Sequence, residues 1–152
     1  MKAVLLELIR VELRASLTRL AKAALEAHAA ATDPGSKAEG KYDTRSLEAS
    51  YLAAGQARQV DELAEAVRVF EAMTLPDFAM EDQIDAGALV ELDSAGEPAL
   101  FLLAPVAGGL CVMHEGREVT LLTPASSLYQ KLLGLHVGDV LDDPARMITE
   151  VA

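Results

Sequence analysis

Two Ala/Leu-rich stripes in immediate succession, separated by one polar loop, leave the first half of this chain few ways to fold. Leu6, Ile9, Leu13, Leu17, Leu20 and Ala24 recur at steps of three and four, and beyond the loop Ala49, Ala53, Gln56, Val60, Leu63, Val67 and Phe70 do the same. That spacing places each set on one face of an α-helix. Stripes so arranged bury each other by folding back antiparallel, so the sequence predicts a coiled-coil helical hairpin. The first arm is read as about Lys2 to Ala31. It stops at Asp33-Pro34-Gly35, where proline disfavours helix in the residue before it and glycine permits a turn. The second arm restarts at Asp43 or Thr44, either of which can cap, and runs to about Met73 before Leu75-Pro76-Asp77 ends it. Gly55 inside this arm is expected to reflect close helix packing, and Gln56 is a polar register position within the seam. At about 1.5 Å per residue, arms of nearly thirty residues carry the tip, residues 32 to 45, roughly 40 Å from the base. A loop held at that distance suits reaching into something deep.

Charge divides the chain in two. Residues 1 to 75 hold ten Lys+Arg against eleven Asp+Glu, whereas residues 76 to 152 hold three against thirteen. The second half, net −10, is expected to repel nucleic acid and anionic membrane and to favour a basic protein surface. Cys111, the one cysteine, permits no internal disulfide and sits in an apolar run, which reads as a small buried hydrophobe in a strand. Glu7, Arg10 and Glu12 interrupt the span where a signal peptide would be apolar, so the expected location is cytoplasmic.

From Ala88 the period shortens. Ala88 to Asp93 and Pro98 to Ala104 read as strands joined at Ser94-Ala95-Gly96, and Leu110 to His114 and Arg117 to Leu122 flank the two-residue turn Glu115-Gly116. Ser126 to Leu133 reads as a short helix with Ser126 at its N-cap and Gly134 near the C-cap; Val137 to Leu141 and Arg146 to Val151 supply the last strands. The expected fold class is α+β: a hairpin over 1–75, a linker over 76–87, and a small antiparallel sheet domain with one short helix over 88–152.

Two stretches carry a family resemblance. Ser126-Ser127-Leu128-Tyr129-Gln130-Lys131-Leu132-Leu133-Gly134-Leu135-His136-Val137-Gly138-Asp139 resembles the Ser-Pro-Leu, Leu-Leu-Gly and Val-Gly-Asp pattern of the bacterial Gre transcript-cleavage factors (GreA/GreB). Glu48-Ala49-Ser50-Tyr51-Leu52-Ala53-Ala54 is similar to the acid, tyrosine and Ala-Ala that follow the tip of the Gre coiled coil. The resemblance implies an FKBP-like second domain that docks on core RNA polymerase at the secondary channel, through Ser126, Leu128, Leu132, Leu133, Gly134, Val137, Gly138 and Asp139. It implies a tip passed toward the polymerase active site, a factor rather than a free-standing enzyme, with nascent RNA met only indirectly and no sequence-specific DNA binding. No cofactor of its own is implied, Mg²⁺ being shared with the polymerase active site, where tip acids would help hold the second ion for phosphodiester hydrolysis.

The tip departs from that pattern. The family sets an aspartate and a glutamate seven and four residues before the tyrosine; here Thr44 and Leu47 precede Tyr51 at those distances. The acids available are Glu39, Asp43 and Glu48, and Asp43 and Glu48 are five apart, a spacing that does not share a helix face. Asp43 serves equally as the N-cap of the second arm, Glu48 as a first-turn acid facing the helix dipole, and Asp33 as part of a helix stop. Lys37, Lys41 and Arg45 can meet phosphate or simply solvate the loop, and Tyr42 is an aromatic in a polar setting that can stack. His28, His114 and His136 lack metal-ligand spacing, and Gly108-Gly109 lacks the lysine of a phosphate loop. Three readings follow: a Gre-like factor that modulates elongation or cleavage, a channel-binding competitor that does not support cleavage, and an interaction or dimerisation hairpin outside transcription.

Overall fold

A computed structural model describes residues 2–32, 45–142 and 144–152, with backbone alone for 31, 32 and 45–52. Helix α1 spans Lys2–Thr32 and α2 spans Arg45–Ala72. Two compact units result: Met1–Ile9 with Ala72–Ala152, and Arg10–Glu71.

Within Arg10–Glu71 the stripes meet as the spacing requires. Leu13 and Phe70 are buried, and Leu17, Leu20, Ala24, Ala53, Val60, Leu63 and Val67 are half-buried, while Arg14, Arg19, Lys22, Arg58, Asp61 and Glu62 face water. The antiparallel sense is fixed by cross-arm bonds: Arg10 Nε donates to the Phe70 carbonyl at 2.7 Å, and Arg14 Nε to Glu71 Oε1 at 2.5 Å. Gln56 lies in the seam with its Oε1 buried and unbonded, so it opposes stability where it sits, an arrangement consistent with a register position rather than a packing one. Gly55 corrects the expectation of close packing. A Cβ there would meet nothing within 4 Å.

In the other unit, six strands follow: β1 Leu89–Ser94, β2 Glu97–Leu103, β3 Cys111–His114, β4 Arg117–Leu122, β5 Val140–Leu141 and β6 Arg146–Val151, with helix α3, Ser127–Leu132, between β4 and β5. Their order in the sheet is β3-β4-β2-β1-β6-β5. Both two-residue turns adopt left-handed backbone, Ala95-Gly96 at φ 53° and 87° and Glu115-Gly116 at φ 52° and 76°, the conformation that matches strand twist in tight hairpins. The expected all-antiparallel sheet is corrected at one place. β4 lies parallel to β2, pairing Leu100 with Val119 and Leu102 with Leu121, because β3 takes the edge and its hairpin returns β4 to the inner position.

Cross-strand partners share a face, so the pairs Val90–Phe101 and Leu92–Ile148 lie on one side. There they pack with Ile84, Leu103, Tyr129 and Leu132 into the core under α3. Leu89, Glu91, Leu100 and Leu102 lie on the other side. Ile84, in the acid-rich stretch before β1, is 1% exposed and belongs to the core. The start of α1 is part of the same unit, and Leu5, Leu6 and Ile9 are buried. Cys111 corrects its reading as a buried hydrophobe: it is exposed on the edge strand, where its Sγ lies 3.4 Å from Thr120 Oγ1.

Candidate functional site

The stretch from Ser126 to Asp139 forms α3 and the two turns after it, and its residues divide by direction. Ser126 occupies the N-cap in extended backbone without a side-chain cap bond; Gln130 Nε2 instead ties the helix to the Pro124 carbonyl at 2.9 Å. Tyr129 and Leu132 point into the core, and Leu128 and Val137 pack partly against it. Gly134 takes φ 81°, which reverses the chain and lets its N–H donate to the Ile84 carbonyl, while the Leu135 carbonyl accepts from the Ile84 N–H, both at 2.8 Å. The Val-Gly-Asp turn is built the same way. Gly138 at φ 92° donates to the Ile148 carbonyl at 2.8 Å, while the Asp139 N–H donates to the His136 carbonyl at 3.1 Å and Asp139 Oδ2 accepts from the His136 N–H at 2.8 Å, closing the turn that leads into β5.

Of the residues expected to dock, Leu132 is thus committed to the interior. Leu133, Gly134 and Gly138 are exposed, and Ser126 and Asp139 are half-exposed. Leu133 and Gly134 border an open groove whose opposite wall is Pro76, Asp77, Phe78, Asp82, Gln83, Ile84 and Asp85. Among the described residues three carboxylates and no basic side chain line it, so its field is negative. Asp82 and Asp85 also shape the wall, accepting from the Ala79 N–H at 2.7 Å and the Ala86 N–H at 2.8 Å. Such a groove matches a basic surface that carries an apolar anchor.

The tip residues Asp33, Lys37, Glu39, Lys41, Tyr42 and Asp43 lie outside the described residues. Arg45 and Glu48 are in the first turn of α2, known by backbone alone. Among the described residues no group of three His, Cys, Asp or Glu side chains is placed to hold a metal ion, and no helix is long and apolar enough to cross a membrane.

No protein-family model matches the chain, and no curated protein matches it. Similarity to solved structures is found with the GreA factor homolog 1 (Gfh1) of Thermus thermophilus, at 20% identity, covering 94% of each chain, with a TM-score of 0.38. A second structure of the transcription factor Gfh1 gives 20% identity, 93% and 92% coverage and 0.38; Gfh1 of Thermus aquaticus gives 19%, 92% and 91%, and 0.35. These neighbours are GreA-like factors.

Lys2 was not legible as a key residue, yet it ties together three remote segments of its unit. Its Nζ donates to the carbonyls of Pro76 at 2.5 Å, Gly87 at 2.8 Å and Ala152 at 2.8 Å, and it stands 4.9 Å from the centre of the Phe78 ring. Three ammonium hydrogens meet three acceptors, which satisfies an otherwise costly buried cation. Burial pulls its pKa down to about 8, with the Asp77 carboxylate opposing. The signal was present: Lys2 precedes Leu6, Ile9 and Leu13 by four, seven and eleven residues, so it falls on the buried stripe. A second network, also missed, joins strands β1, β4 and β6. Glu91 accepts from Arg117 at 2.5 Å and from Thr149 Oγ1 at 2.6 Å, and these bonds hold its carboxyl below the usual range, the Thr149 bond contributing most.

Proposed function

We propose that this protein is a Gre-like regulator of transcription that binds RNA polymerase at its secondary channel and presents the hairpin tip toward the active site without itself supporting transcript cleavage. The observation that carries the reading is the Ser126 to Asp139 stretch. Its glycines and Asp139 close the turns that the motif spacing demands, and its outward residues Leu133 and Gly134 face an acidic groove suited to a basic surface. The hairpin supplies the reach: a helix of 31 residues extends about 46 Å. The cytoplasm is the compartment this reading requires.

The tip's part in the proposal rests on sequence. Thr44 and Leu47 stand where the cleavage factors place their paired acids, and Lys37, Lys41 and Arg45 bring the loop of residues 33–45 to charge zero against Asp33, Glu39 and Asp43. A neutral loop is a poor carrier of a second Mg²⁺, which takes carboxylate oxygens. The factor would occupy the channel and leave that ion unsupported. The test is a backtracked elongation complex mixed with the full-length protein. The reading expects RNA cleavage no faster than the polymerase's own and slower cleavage by an authentic Gre factor added afterwards. Strong stimulation that Asp43→Ala or Glu39→Ala abolishes without loss of polymerase binding would overturn the non-cleaving part.

A further inference from the structure

A cavity of about 160 Å³ opens on the sheet face opposite α3. Leu89 and Leu100 give it an apolar lining, and His114 reaches it from the edge strand. The His114 side chain is 8% exposed, and its nearest charged partner, Glu115 Oε1, stands 3.9 Å from Nε2, beyond hydrogen-bond range. Among the described residues the imidazole makes no hydrogen bond, and the Glu115 carboxylate is its loose neighbour.

The other polar groups around the cavity fall into two sets. Lys2 spends all three N–H bonds on the carbonyls of Pro76, Gly87 and Ala152, and Arg117 is bonded to Glu91, whose second oxygen takes the Thr149 hydroxyl. Glu115 and Glu150 line the cavity with exposed carboxylates that accept no hydrogen bond among the described residues, Glu115 standing only at the 3.9 Å contact with His114. What the site lacks is therefore a donor. Three carboxylates against two cations, both already bonded, set the sign of the charge it accepts.

We propose that this cavity binds a small organic cation, a primary ammonium or guanidinium group on a short aliphatic stem. The stem lies on Leu89 and Leu100, and the N–H groups reach the His114 imidazole and the Glu115 and Glu150 carboxylates. An anion meets no uncommitted donor apart from the imidazole. The same chemistry is offered by a free alkyl amine and by an arginine or lysine side chain of a partner. This site shares no residue with the Leu133 groove, so it stands or falls independently of the polymerase reading.

The test is an NMR titration of the isotope-labelled full-length protein, following the His114 imidazole and the amides of Glu115 to Arg117. The probes are n-butylguanidinium, the peptide Gly-Gly-Arg-Gly-Gly and, as sign control, n-butyrate. The proposal expects saturable shifts with butylguanidinium, none with butyrate, and about tenfold weaker binding in Glu115→Gln/Glu150→Gln, whose spectrum elsewhere stays that of the folded protein. Tighter binding of the peptide identifies a side-chain source, and tighter binding of the free guanidinium a small-molecule source. Equal response to butyrate, no saturable shift before non-specific shifts spread across the sheet, or an unaltered affinity in the double variant would each overturn it.

Discussion

Leu132 and Leu133 are adjacent in one motif and face opposite ways, so a pair of substitutions separates what the motif builds from what it presents. Leu132 is 0% exposed in the core beneath α3, whereas Leu133 is 36% exposed at the acidic groove. Leu132→Ala removes a fully buried side chain, and large-to-small changes of this kind cost about 3 kcal/mol, most of it cavity and lost transfer energy. For a chain of this length, at about 2–4 °C per kcal/mol, the melting temperature should fall by roughly 6–12 °C. Leu133→Asp leaves the core intact and should change stability by no more than about 0.5 kcal/mol, as surface substitutions do. It removes the apolar side chain from the groove rim, a loss that one added negative charge facing a basic surface offsets only in part, so it should weaken polymerase binding while melting like the parent. The assay is thermal denaturation by circular dichroism, with polymerase co-elution measured well below either transition. Should folded Leu132→Ala lose as much binding as Leu133→Asp, or should Leu133→Asp melt as early as Leu132→Ala, the assignment of inward and outward roles is wrong.

Leu13→Asp should bury an unpaired charge in the hairpin seam, costing several kcal/mol, and speed hydrogen exchange in the arms more than in the sheet; equal loss across β1, β2 and β4 would contradict the division into two units. Gly55→Ala should stabilise the hairpin by about 1 kcal/mol, since the new methyl meets open space, and a destabilised variant would show that the position is crowded after all. With the Lys2 pKa pulled down to about 8 from 10.5, the unfolded chain binds more protons between those values, so the stability of the parent relative to Lys2→Met should rise with pH across that window; a relative stability that shrinks would mean the three carbonyl bonds hold the ammonium charged. Glu91 has the opposite sign. Its depressed pKa contributes stability above the ordinary carboxylate pKa of 4.5 that is lost as pH falls through the folded value, so Glu91→Gln should flatten the acid limb of the stability curve, and an unchanged limb refutes the network.

What was legible in the sequence was local. The Glu115-Gly116 turn needed only two residues able to take positive φ between apolar runs, and the hairpin arms needed only their period. The motif from Ser126 to Asp139 was found by spacing, but spacing does not say which of its leucines faces inward; that depends on the core contributed by Ile84 and Ile148 from elsewhere in the chain. The parallel placement of β4 against β2 and the exposure of Cys111 are both decisions about which strand takes the edge, and no local pattern carries them. Lys2 was hidden for a related reason: a lysine in an apolar stripe looks like an error until three carbonyls from distant segments surround it. The Leu133 groove was half visible, since the acids of residues 77–85 were plain as charge but not as a wall.

The central claim is that the chain binds core RNA polymerase, and co-elution of the full-length protein with purified core enzyme on size exclusion at low salt tests it most directly. The account predicts a stoichiometric complex that weakens as salt is raised, because the attraction is between the acidic module and a basic surface. A protein that elutes apart from the core enzyme even at low salt would contradict it.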